Sequence, residues 1–201
     1  MSRADAVSTE VRAGVSLLER AVGYLLGVLP LVTDEELDAD TPCRDWDLRL
    51  LLAHVQDSLD ALNEAVDDGQ VTVAPDPGSF AAPDAGAERA AGAVRESCRR
   101  LVAAWSRAGG GHEVIDVGGL RLSAAIVTGT GAIELAVHGW DIARACGAGR
   151  PLPPVLAEEL LELAPLFVHP ADRPGRFAPP LPVPEDAGVS ERLLGFLGRR
   201  S

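Results

Sequence analysis

Gly131-Ala-Ile-Glu134-Leu-Ala-Val-His138-Gly-Trp140-Asp141-Ile-Ala-Arg-Ala145 is the stretch around which the rest of the chain arranges itself. It has the length and composition of a bundle helix. In a helix, residues four apart lie on one face. Glu134 and His138 then project side by side, and Asp141 follows one turn further along. A carboxylate and an imidazole so placed can grip one metal ion. Such pairs also arise by chance on solvated helices, so the pair gains meaning only if a third ligand faces it. The candidate is His54.

Working outward, two more segments carry the same bundle signature. Val11, Val15, Leu18, Val22, Leu25 and Leu29 recur at alternating steps of four and three, predicting a first helix over 5–29 that Pro30 ends. Leu48, Leu52, Val55, Leu59, Leu62 and Val66 repeat the pattern and predict a second helix ending near Val66, with Asp47 or Asp45 as its N-cap. His54 lies one residue off that apolar seam, with Asp57 and Ser58 on its face. A polar interruption inside a bundle is where a site is built. Residues 69–87, rich in Pro, Gly, Asp and Ala, read as a long crossover loop. A third helix is expected from Pro83 or Asp84 to Ala108, with Val94, Cys98, Leu101 and Trp105 inward and Gly109 to Gly111 as its stop.

Residues 112–123 alternate around Gly118-Gly119 and predict a small hairpin before helix four. That helix is expected over 124–147, with Gly147 and Gly149 at its C-cap. A fifth helix over 155–168 turns Leu160, Leu163, Ala164 and Phe167 to the bundle. A Pro-rich stretch over 169–184 leads to a last short helix over 187–198 with an exposed arginine end. The expected fold class is therefore all-α: a four-helix bundle over 1–149, with a C-terminal helical and Pro-rich extension over 150–201 packing on it.

Composition agrees with an ordinary globular protein. The chain has 201 residues, 47% hydrophobic and 24% charged, with only 4% aromatic, so Leu, Val, Ile and Ala must build the core. The net charge of −12 and the absence of a basic cluster exclude nucleic acid and an anionic membrane surface as partners. The longest apolar run, Tyr24 to Val32, is broken by Pro30 and too short to span a bilayer. Met1 to Val7 lacks the pattern of a signal peptide. Cys43, Cys98 and Cys146 are odd in number and far apart, which predicts reduced thiols and a cytoplasmic location.

Two imidazoles and one carboxylate with the remaining positions open make a catalytic zinc set; nickel or iron could use the same one. Each residue also has a plainer reading. His54 could be a core or rim histidine, and Glu134 a solvated helix residue. Asp141 could bind the metal, cap a neighbouring element, or fix the His138 ring by a hydrogen bond, which is the role preferred here. Cys43, near a helix start, could be a nucleophile but reads better as a small residue packed under Trp46, and it is not counted as a ligand. Trp46, Trp105 and Trp140 read as packing anchors, and His112 and His169 as surface residues. Arg144, Arg150, Arg173 and Arg176 are available to an anionic substrate, although solvation accounts for each of them as well.

Thr41-Pro42-Cys43-x-x-Trp46-Asp47-x-x-x-Leu51-x-x-His54 resembles the entry motif of the actinobacterial proteins related to the mycothiol-dependent maleylpyruvate isomerase N-terminal domain. Glu134-x-x-x-His138-Gly-Trp140-Asp141-x-Ala-x-Ala145 resembles their second motif. The tail, through Arg176-Phe177, Arg192-Leu193-Leu194 and Gly198-Arg199, is similar to a subgroup known only as metal-binding. The resemblance implies a DinB-like four-helix bundle holding a divalent metal, usually zinc, through His54, Glu134 and His138. It also implies mycothiol as cosubstrate, in isomerisation or thiol transfer. The isomerase has a fuller C-terminal domain, so its substrate contacts do not carry over. The expected partner is a small electrophilic or anionic molecule, and the expected assembly a monomer or homodimer. Two rival functions remain at this level: metal-assisted chemistry without a thiol, such as hydrolysis or a Lewis-acid step in biosynthesis, and a non-catalytic metal-binding module.

Overall fold

A computed structural model describes residues 3–72, 85–108, 112–168, 170, 173 and 177–200. Four long helices form the bundle: α1 (Arg3–Val28), α2 (Leu48–Asp68), α3 (Ala87–Ala108) and α4 (Ala124–Ala145). The expected all-α bundle is the observed one. The seams read from the sequence face inward. Val11, Leu18, Val22, Leu25 and Leu29 are buried, as are all six seam residues of α2 and the four named on α3. Val15 alone is half-buried.

Helix α4 is the centre of the bundle. Sixteen of its 22 residues are buried, so it has no solvated face, only a few outward positions. It packs along α1 and against α2, and α2 packs on α3. Small residues let these backbones close up. A Cβ added at Gly139 would stand 3.1 Å from the Tyr24 ring and 3.4 Å from the Leu25 Cα.

The helix ends show which signals were local. Asp47, not Asp45, caps α2, accepting from Leu50 N at 2.8 Å. Asp45 instead takes a left-handed turn at φ 66°. Ser123 caps α4. Gly147, at φ 66°, ends the helix by itself, and Gly149 plays no part in the cap. Helix α3 begins at Ala87 rather than near Asp84, because its cap comes from elsewhere in the chain. The Asp34 carboxylate accepts from Ala87 N at 2.7 Å.

The hairpin exists as β2 (Val114–Val117) and β3 (Leu120–Ser123), turning through Gly118 and Gly119, both at positive φ. A short β1 (Gln70–Val71) pairs parallel to β2, within the segment read as loop. It is two residues long and has no pattern of its own. Helix α5 (Pro154–Phe167) packs on α4 and α1, and α6 (Val189–Phe196) packs on α5. The span Thr9–Leu31 reaches a mean hydropathy of 1.4 and is long and apolar enough to cross a membrane. The apolar run from Tyr24 to Val32 is only part of this span. Here its apolar face lies against α4.

Close packing of α1 on α4 sets a measurable expectation. Gly139→Val would force its side chain into Tyr24 and the Leu25 backbone, and overpacking of this kind costs about 1–3 kcal/mol. For a domain of this size that lowers Tm by about 2–12 °C. An unchanged melting temperature would show that the α1–α4 contact is looser than described.

Candidate metal centre

The tight entry to α2 aims the first group of side chains. Thr41 Oγ1 accepts from Cys43 N at 3.1 Å and donates to Trp46 O at 2.8 Å, and Trp46 N donates to Cys43 O at 3.2 Å. This knot fixes where Cys43 and Trp46 stand before the helix begins. His54 follows on the second turn of α2. Glu134 and His138 come from the middle of α4.

The three residues meet. His54 Nε2 lies 2.6 Å and His138 Nε2 3.1 Å from the same atom, Glu134 Oε1. One donor atom from each of the three lies within 4.8 Å of the others. Exposure is graded across the set. The His138 side chain is 9% exposed, that of His54 20% and that of Glu134 28%. The cluster is therefore closed beneath His138 and reachable from the side of His54 and Glu134. Trp46 is a wall of this site as well as a packing residue, its ring 4.7 Å from His54 and 6.3 Å from His138. Trp105 and Trp140 are buried in the core, as expected. A surface cleft lined by Glu19, Arg20, Tyr24 and Pro153 lies elsewhere, and none of the three residues lines it.

Beneath His138 lies a second layer. Its Nδ1 is 3.0 Å from Asp141 Oδ2, so Nδ1 is the protonated donor and the ring direction is set. Asp141 is fully buried. The Cys43 thiol donates to the same oxygen at 3.3 Å and lies 3.7 Å from His138 Nδ1. Cys43 is thus more than packing beneath Trp46. Arg199 approaches from the far end of the chain, with NH2 3.0 Å from Asp141 Oδ2 and 3.4 Å from Cys43 Sγ.

The expected exposed arginine end is therefore only half right. Arg200 is exposed, whereas Arg199 is 9% exposed and inside the bundle. Nothing in the local sequence separates these two arginines; Gly198 before them is the only hint. Cys43, His138 and Asp141 could in principle hold a cation of their own. The guanidinium of Arg199 already supplies positive charge at that point.

Charge in this cluster is mutually determined. Burial disfavours an ionised Glu134, but His138 and His54 beside it hold its carboxyl well below the ordinary value. Burial likewise disfavours a charged His138. The Glu134 charge and the bonds to Asp141, Cys43 and Glu134 outweigh that and hold it well above 6.5. Asp141 is lowered despite its burial by His138 and Arg199. The other two thiols lie outside this layer: burial pushes Cys98 up to about 12 and, with help from Glu36, Cys146 up to about 11.

Of the remaining candidates, those among the described residues lie elsewhere. His112 is exposed, its ring over Gly69, and His169 falls outside the described residues. Arg144 stands over Trp140, and Arg173 donates to Ala178 O and Phe196 O. Arg150 is exposed, and Arg176 falls outside the described residues.

The chain is similar to known proteins in sequence and in fold. Two uncharacterized proteins of Mycobacterium tuberculosis, from two strains, are each 29% identical over 185 residues, covering 90% of this chain and 94% of their own. Among solved structures, a mycothiol-dependent maleylpyruvate isomerase shares the fold at a TM-score of 0.57 and 19% identity. A mutant of a mycothiol-dependent maleylpyruvate isomerase does so at 0.59 and 19%. In both cases 77% of this chain and 68% of the other is covered. The model of the mycothiol maleylpyruvate isomerase N-terminal domain matches residues 18–143, which hold the entry motif, the second motif as far as Ala143 and all three facing residues, and the chain belongs to that family.

Proposed function

We propose that this protein is a cytoplasmic metalloenzyme of the mycothiol-dependent isomerase or thiol-transferase type. His54, Glu134 and His138 hold one divalent cation, zinc foremost, with nickel or iron as alternatives for the same ligands. The observation that carries this reading is the convergence of two imidazole nitrogens on one carboxylate oxygen, on the reachable side of a bundle. The donor chemistry fits. A structural zinc site closes all four positions, usually with cysteine, whereas two histidines and a carboxylate leave room for a reactant.

When bound, the cation supplies positive charge that favours a thiolate over a thiol at neutral pH. The chain's own residues prepare for it. Asp141 accepts from His138 Nδ1 and so keeps Nε2 directed at Glu134. Glu134 remains ionised at neutral pH. Trp46 shields one side of His54 from water. The substrate is a small electrophilic or anionic molecule. The solved isomerase extends beyond the matched part, so its own substrate contacts are not carried over.

Metal analysis of the purified protein tests the ligand set. About one equivalent of zinc or a similar metal is expected, and its loss in His54→Ala or His138→Ala. Retention in both variants refutes the site. Mycothiol added to the zinc-loaded protein should bind, and should fail to bind to His54→Ala protein. Zinc binding without any response to mycothiol would favour metal chemistry without a thiol.

The pH dependence has a definite sign. Without metal, His138 keeps its proton at neutral pH because its value is raised above 6.5. Only neutral imidazole binds a metal, so zinc must displace that proton. Affinity therefore rises with pH through neutrality, by up to about tenfold per unit for each proton displaced. Calorimetric titration in two buffers of different ionisation enthalpy should report proton release at pH 7. Identical heats in both buffers would contradict it.

A further inference from the structure

A cation reaches the interior of the bundle from the C-terminal part of the chain. Arg199 lies 58 positions beyond Asp141, yet its NH2 is 3.0 Å from Asp141 Oδ2 and its Nε 3.4 Å from Oδ1. Two donors meet two oxygens of one carboxylate, the fork geometry that arginine offers and lysine does not. NH1 donates to Leu197 O at 3.0 Å, which holds the guanidinium from behind.

The chain is shaped to deliver it. Gly198 sits at φ 78°, and Arg199 N donates to Leu194 O at 2.8 Å, closing the end of α6. A Cβ at Gly198 would come within 2.6 Å of Ala178 Cβ and 2.8 Å of Ala178 O. Glycine is thus required there on two counts, backbone angle and space.

We propose that Arg199 is a positioning residue for the metal centre: it holds Asp141, and Asp141 holds the His138 ring with Nε2 turned to Glu134 and His54. This rests on the metal reading above. Asp141 Oδ2 accepts from His138 Nδ1, the Cys43 thiol and Arg199 NH2 together. Arg199 is the arginine that faces this carboxylate, which has no access to water. Without it, a buried anion loses its forked partner and must rotate or take up a proton. Either change loosens the bond that directs His138. A pair serving stability alone could be exchanged for apolar groups at little cost. Here the same carboxylate also orients a ligand, so the exchange would be felt at the metal.

The test compares wild type, Arg199→Met, Arg199→Lys, Asp141→Asn and the Arg199→Met/Asp141→Asn double variant, using zinc as probe. The first readout needs no metal. In protein labelled with 15N-histidine, wild type should show a His138 Nδ1 proton shielded from exchange, identified by its loss in His138→Ala. Arg199→Met should lose that protection, and Arg199→Lys should regain part of it. The second readout is zinc affinity by chelator competition. Arg199→Met and Asp141→Asn should each lower it about 10–100-fold, and the double variant no further than the weaker-binding single one.

Three results overturn the proposal. One is an Arg199→Met protein that melts lower but keeps both the shielded proton and wild-type zinc affinity. Another is a double variant in which the two losses multiply. The third is a wild type without the shielded proton. If Arg199→Met does not fold, Arg199→Gln, which is shorter but keeps a hydrogen-bond donor without the charge, takes its place. If wild type binds no zinc, the metal reading falls, and the proton alone decides the role of Arg199.

Discussion

Placing His138 and Asp141 inside α4, a helix packed on almost every side, demands partners for each charged group. Removing an ion from water without a partner costs several kcal/mol even after relaxation. The bundle meets the demand with a chain of paired groups. His54 and His138 flank Glu134, Asp141 follows His138, and Arg199 closes the far end. Each of the three inner groups, Glu134, His138 and Asp141, has a hydrogen-bond partner on both sides. Removing one member would leave its neighbour buried and uncompensated.

This constraint accounts for features that otherwise look unrelated. The Thr41–Trp46 knot sets Cys43 against Asp141 and Trp46 against His54. Small residues on α4, Gly139 beside His138 among them, bring α1 close enough to shield the helix from water. The turn at Gly198 carries a guanidinium where solvent cannot reach. The reachable side is left to His54 and Glu134, the two more exposed of the three facing residues. The contacts to Glu134 and to Asp141 thus lie on opposite sides of the His138 ring, one on Nε2 and one on Nδ1.

How much of this could be read beforehand differed from element to element. The alternating steps of four and three located α1 and α2 because each helix buries one stripe, and burial along a stripe is written in residue type. Helix α4 lacks such a stripe, since it is buried nearly all round. Its meaning came from Glu134 and His138 at a spacing of four. The start of α3 was misplaced because its cap, Asp34, is supplied from 53 residues away. β1 was missed because a two-residue strand takes its identity from its partner.

The sequence by itself determined the bundle, the main helices and the pairing of Glu134 with His138, because helical periodicity and i to i+4 spacing are local geometry; it offered His54 as the third residue, and the packing of α2 on α4 brought it there. It also pointed to Asp141 as the support for His138, three positions away on the same helix. Only the tertiary structure decided that Arg199 is buried while Arg200 is not, and that Cys43 turns to Asp141. The same holds for Trp46, which walls the site as well as packing. Those roles depend on which distant segment arrives at a given point, and on how a buried charge finds its partner. Neither is encoded in the residues next to it along the chain.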